Sequence, residues 1–113
     1  MDARRSRLGS TRRYPRYIFD TEIRVLAGVQ AEPVRSRTLD ISVGGVAGIF
    51  NAGWDIGEFA MLQFAIPPSQ DVLETRAVVR SRSGTRYGFE FVELTTASHD
   101  ALQNACNYLR TPH

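Results

Sequence analysis

The chain has 113 residues, 42% hydrophobic and 23% charged, which suits one domain with an ordinary core and excludes a multidomain enzyme. No apolar run approaches the roughly 20 residues of a membrane span and no signal-peptide pattern opens the sequence, so a soluble, cytoplasmic protein is expected. Cys106, His99 and His113 are its only sulfur-thiol and imidazole groups; they allow neither an internal disulfide nor a zinc-type ligand set, and neither metal nor cofactor is expected.

All 14 basic residues are arginine. A GC-rich codon usage accounts for the count; the functional alternative is a planar guanidinium fork that grips phosphate or guanine and stacks on rings. Position says more than number. Arg4, Arg5, Arg7, Arg12, Arg13 and Arg16 against Asp2 give residues 1–16 a charge of +5, while the rest of the chain carries −3. These residues hold too few apolar groups to offset the entropy of ordering them, so the chain divides into a flexible basic arm, 1–16, and a folded body, 17–113.

From residue 17 the pattern alternates. Phe19, Thr21, Ile23, Val25 and Ala27 share one face of an extended chain, with Asp20, Glu22 and Arg24 on the other, which predicts a first strand over 17–27. A turn at 27–30 leads to a second strand at 34–41, whose alternation blurs toward Leu39 and Ile41. After Ser42-Val43-Gly44-Gly45, short strands are expected at 46–50 and 59–66, the latter stopped by Pro67-Pro68. A fifth strand at 72–82 places Arg80 and Arg82 on one face. A sixth at 87–94 lines up Tyr87, Phe89 and Phe91. Leu102, Cys106 and Leu109 then fall at helical spacing behind a Thr95-Thr96 capping pair, predicting a helix over about 97–110. The fold class is therefore all-β with one C-terminal helix. Closing six antiparallel strands into a barrel removes exposed edges and lets the aromatics fill the interior.

Catalysis finds little support. There is no Gly-x-Ser-x-Gly elbow and no His-Glu-x-x-His, and the acids are scattered. Gly44-Gly45 lacks the lysine and the helix of a P-loop. Cys106 reads as core, His99 as a solvated or capping residue, and Trp54 as loop packing in preference to a protein-contact anchor. The protein is expected not to be an enzyme.

Two segments stand out: Arg12-Arg13-Tyr14-Pro15-Arg16, and Asp40-Ile41-Ser42-Val43-Gly44-Gly45. Taken singly, the first is an ordinary solvated tail and the second ordinary turn chemistry. As a pair in this order they resemble the motifs of the PilZ family, an Arg-x-x-x-Arg before the first strand (Arg12, Arg16) and an Asp/Asn-x-Ser-x-x-Gly after the second (Asp40, Ser42, Gly45). The likeness extends over nearly the whole chain. It implies a six-stranded, split-barrel-like PilZ barrel that binds the bacterial second messenger cyclic di-GMP without chemistry on it, and a downstream protein that reads the bound state. Thr11, standing where relatives that take up an intercalated ligand pair tend to carry arginine, implies one ligand per domain.

The residue types suit that ligand. Cyclic di-GMP carries two phosphodiester charges and two guanines, whose O6/N7 acceptors match an arginine fork and whose faces accept guanidinium stacking. Pro15 disfavours helix before it, so Arg12 and Arg16 reach the ligand from an extended or looped arm. Asp40 can accept from guanine N1 and N2. Ser42 would touch phosphate or the turn backbone, and Gly45 would let backbone approach the ligand in a conformation other residues resist. Arg13, Gly44 and Arg80 are secondary candidates. Two alternatives remain beside this one: a barrel binding single-stranded nucleic acid, with Arg tracking phosphates and Tyr14, Tyr17 or Trp54 stacking on bases, and a ligand-free PilZ-type adaptor. The intact motifs disfavour the adaptor, and steep salt dependence over many phosphates would mark the nucleic-acid barrel.

Overall fold

The computed structural model describes residues 14–28 and 32–111. Arg4, Arg5, Arg7, Arg12 and Arg13 of the expected arm, part of the turn expected at 27–30, and His113 lie outside the described residues. The elements in chain order are β1 (Tyr17–Ile18), β2 (Glu22–Ala27), β3 (Val34–Ile41), β4 (Gly45–Ile49), β5 (Phe59–Ile66), β6 (Asp71–Ser83), β7 (Arg86–Val92) and α1 (Thr96–Arg110). Every pairing is antiparallel, in the order β3-β2-β5-β6-β7-β4, and β4 pairs back onto β3. The sheet thus closes as the six-stranded barrel expected, and closure satisfies the strand edges. Val34–Ile41 and Phe59–Ile66 have the bounds read from the sequence; the other strands differ by one to two residues at their ends.

The single first strand expected over 17–27 is broken in two. β1 pairs with Asp40 and Ile41, β2 with residues 34–37 of the same strand. Between them three residues, Phe19 to Thr21, face only Thr38 and Leu39, one too many for a regular ladder. Thr38, 2% exposed, fills the gap: its hydroxyl donates to the Phe19 carbonyl at 2.6 Å and accepts from the Thr21 amide at 3.0 Å. Phe19, Ile23, Val25 and Ala27 still point inward.

Two more bulges decide where charged side chains point. Thr38 pairs with Gly48 but Asp40 with Ala47, leaving Leu39 without a β4 partner. Thr38 and Ile41 are both buried; strict alternation would turn Asp40 inward with Thr38, and the extra residue turns it outward instead. This is the physical reason for the blurred pattern near Leu39. In β6, Val79 pairs with Phe89 and Ser81 with Gly88, so Arg80 is the extra residue. The expectation that Arg80 and Arg82 share a face is thereby corrected. Arg80 turns outward to pair with Glu90, whereas Arg82 follows Tyr87, lies 5.3 Å over its ring and donates to the Trp54 carbonyl at 3.3 Å.

The barrel is filled by Phe19, Ile23, Val25, Ile41, Val46, Leu62, Phe64, Val79, Phe89 and their neighbours. At one end Phe50, Trp54, Tyr87 and Phe89 form an aromatic cluster with centroids 5.2–6.5 Å apart, tilted or edge-on in most pairs as ring quadrupoles prefer. Tyr87 donates its hydroxyl to the Ala52 carbonyl. Trp54 is thus a packing residue. Thr95 caps α1, accepting from the Ser98 amide; Leu102, Ala105 and Cys106 form its buried stripe. No helix among the described residues is long and apolar enough to cross a membrane.

Candidate functional site

The outer face of β3, β4 and β7 brings the two sequence motifs together. A transverse row runs Ile18, Asp40, Ala47, Gly88, Ser81, each the cross-strand partner of the next, so all project to the same side. In its middle, Ala47 and Gly88 raise nothing larger than a methyl above the backbone. This makes a low floor, and Ala47, 1% exposed, lies covered by neighbouring side chains. A Cβ on Gly88 would sit 2.4 Å from the Ser81 hydroxyl, a contact that rotation of the Ser81 side chain relieves.

Asp40 stands at the edge of the floor. Its Oδ1 accepts from Arg16 at 2.8 Å and its Oδ2 from Arg86 at 3.0 Å, and its side chain is 19% exposed. Arg16 precedes β1 and is 24 positions from Asp40; Arg86 opens β7 and is 46 positions away. Two guanidinium groups on one carboxylate leave the cluster with one positive charge in excess, which favours an anion.

The turn after β3 is built by Ser42. Its amide donates to the Gly45 carbonyl at 2.9 Å, and its hydroxyl accepts from the amides of Gly44 at 3.1 Å and Gly45 at 3.2 Å. The contact with the turn backbone expected of Ser42 is present. Gly45 is not among the residues with positive φ; its need is closeness. A Cβ there would lie 2.2 Å from the Phe89 carbonyl oxygen, so glycine lets β4 and β7 meet, and the expectation of a conformation other residues resist is replaced by this contact. A Cβ on Gly44 would lie 2.7 Å from the Tyr14 ring. The segment from Tyr14 to Arg16 therefore lies against this turn.

Arg12 and Arg13 lie outside the described residues. Arg80 reaches the far rim, paired with Glu90, itself the cross-strand partner of Gly45. Sequence reasoning missed Arg86, the Tyr14 contact with the turn, and the Ala47–Gly88 floor; strand register exposes the first and last, and the Tyr14 contact left no signal in the sequence. Two concavities among the described residues, one beside Met61, Glu74 and Arg76 and one beside Glu22, Arg24 and Gln63, hold none of the motif residues. Among the described residues no group of His, Cys, Asp and Glu could hold a metal ion. Burial pushes the Cys106 thiol up to about 11, so it is a poor nucleophile.

Comparison with known proteins adds the following. The model of the PilZ domain family matches residues 10–108. The inhibitor of motility MotI/DgrA of Bacillus subtilis has a similar structure, with a TM-score of 0.71 and 24% identity over 86% of this chain and 50% of that one; the chain thus spans about half its length. The PilZ domain of CeSA from a cellulose-synthesizing bacterium gives a TM-score of 0.69 at 15% identity, covering 86% of this chain and 99% of that one. The PilZ domain of YcgR from Escherichia coli, solved with c-di-GMP, gives 0.72 at 18% identity, covering 88% and 91%. No curated protein matches. At these identities the structural likenesses establish the fold.

Proposed function

Because the chain belongs to the PilZ domain family, we propose that it is a receptor for cyclic di-GMP, performs no chemistry on the ligand, and passes the bound state to a downstream protein. The observation that carries this reading is the 2.8 Å contact between Arg16 and Asp40, which joins two motifs far apart in the chain on an outer surface with excess positive charge. The fold likeness to a PilZ domain solved with c-di-GMP supports it.

In this reading Arg12 and Arg16 bring forks to guanine O6/N7 or to phosphate, and Asp40 accepts from guanine N1 and N2. Ser42 holds the turn that aims Asp40, and Gly45 seats that turn against β7. Arg13, Gly44 and Arg80 are rim contacts. The ligand engages Arg12 together with the already seated Arg16, and the surface so formed is what a partner protein recognises. A micromolar complex amounts to about 8 kcal/mol, which a handful of charge-assisted hydrogen bonds at roughly 1.5 to 3 kcal/mol each can supply after the cost of ordering the segment.

Calorimetric titration with cyclic di-GMP, cyclic GMP and a short oligoribonucleotide at two salt concentrations tests the reading. Cyclic di-GMP alone binds, with modest salt dependence. Affinity for the oligonucleotide that falls steeply with salt would instead establish a nucleic-acid-binding barrel, and no binding of any of the three would leave a ligand-free adaptor.

A further inference from the structure

Arg86 opens β7, where its cross-strand partner on β4 is Ile49; Asp40 pairs with β4 from the other side, at Ala47. The Arg86 side chain therefore crosses the outer face of β4 to place its guanidinium 3.0 Å from Asp40 Oδ2. Arg16 holds the other oxygen from the segment ahead of β1. The two arginines differ in what carries them. Arg86 sits in the wall of the closed barrel, between its partners in β4 and β6, whereas Arg16 precedes the first strand.

That difference matters once Arg16 is needed elsewhere. Arg16 holds Asp40 through one N–H, that of Nη1; where a ligand draws the guanidinium toward itself, that contact is weakened or lost. A carboxylate 19% exposed that loses its only cation pays for the lost pairing, and this penalty would be subtracted from ligand affinity. Asp40 has a second cation. Resting on the cyclic di-GMP reading above, we propose that Arg86 is a positioning residue: it keeps Asp40 paired and aimed across β4 while Arg16 passes from Asp40 to the ligand. Arg86 itself stays on Asp40 in both states.

A double-mutant cycle with Asp40→Asn tests this, because the amide keeps an acceptor oxygen but has no charge for Arg86 to balance, and the family motif admits Asn there. Arg86→Ala in the otherwise unchanged protein is expected to weaken cyclic di-GMP binding about tenfold, Arg86→Lys by less, and Arg86→Ala in the Asp40→Asn background by less than about twofold. Equal losses in both backgrounds would mean that Arg86 touches the ligand on its own, and no loss in the unchanged background would mean that it has no role; either overturns the proposal. Side-chain Nε–H resonances read the same point without Asp40→Asn. On saturation the Arg16 resonance moves and that of Arg86 stays; equal movement of both overturns the proposal. Failure of the unchanged protein to bind cyclic di-GMP would sink the receptor reading and this one with it, whereas binding with an additive cycle sinks this one alone.

Discussion

The inner and outer faces of β4 and β7 use neighbouring residues for opposite ends. Inward, Val46, Tyr87, Phe89 and Phe91 are buried in the core, and Tyr87 and Phe89 join Phe50 and Trp54 in the aromatic cluster. Outward, the alternate positions Ala47 and Gly88 carry almost no side chain, and Arg86 and Glu90 carry charge. Large apolar side chains stabilise by the area they remove from water. Small and charged ones contribute little to stability and leave a low outer face with excess positive charge. One strand thus serves both purposes at a spacing of one residue, and substitutions on the two faces should move different observables.

Four measurements sharpen or break that division, in falling order of effect. Phe50→Ala empties the inner cluster and should lower unfolding free energy by about 3–5 kcal/mol, seen as a lower urea midpoint with little change in slope. Gly45→Val is the one substitution expected to damage both faces. Its Cβ would meet the Phe89 backbone carbonyl at 2.2 Å, so β4 and β7 must part, costing about 1–3 kcal/mol and displacing the turn that carries Ser42; normal stability with full ligand affinity in this variant would contradict the close-approach account. Arg16→Ala, and equally Arg12→Ala, should weaken cyclic di-GMP binding at least about tenfold, or 1.4 kcal/mol, with the thermal midpoint nearly unchanged; a large fall in that midpoint would show that the outer face does stabilise the barrel.

The smallest effect concerns Cys106. Burial raises its pKa from 9.0 to about 11, so the folded state favours the thiol. The resulting stability is whole below pH 9.0 and is lost as pH rises through about 11. Urea midpoints measured across that window should fall less steeply in Cys106→Ala, and thiol reagents at neutral pH should modify the native protein far more slowly than the unfolded one.

Much of this was legible before any coordinates. Partial alternation located Val34–Ile41, and apolar and aromatic content ended by Pro67-Pro68 located Phe59–Ile66, because both signals lie within a few consecutive residues. Helical spacing and a threonine cap located α1. The motif residues Arg16, Asp40, Ser42 and Gly45 were also picked out, and Ser42 builds the turn through its hydroxyl and amide while Gly45 lets β4 approach β7. Bulges were what escaped. Leu39 and Arg80 each add one residue to one strand of a pair, a mismatch defined by the partner strand and invisible in either strand alone. Hence the blurred alternation near Leu39 had no reading, and Arg80 and Arg82 were placed together when the ladder separates them.

Local pattern alone pointed to a small β-barrel with a terminal helix, and the resemblance to the PilZ family is what paired its arginine and aspartate motifs. Which way Asp40 points, and that Arg86 crosses β4 to reach it from 46 positions away, was decided only by how β3, β4 and β7 register against one another. Periodicity and capping are properties of a few consecutive residues, whereas a cross-strand contact depends on the summed offsets of every ladder between its two ends.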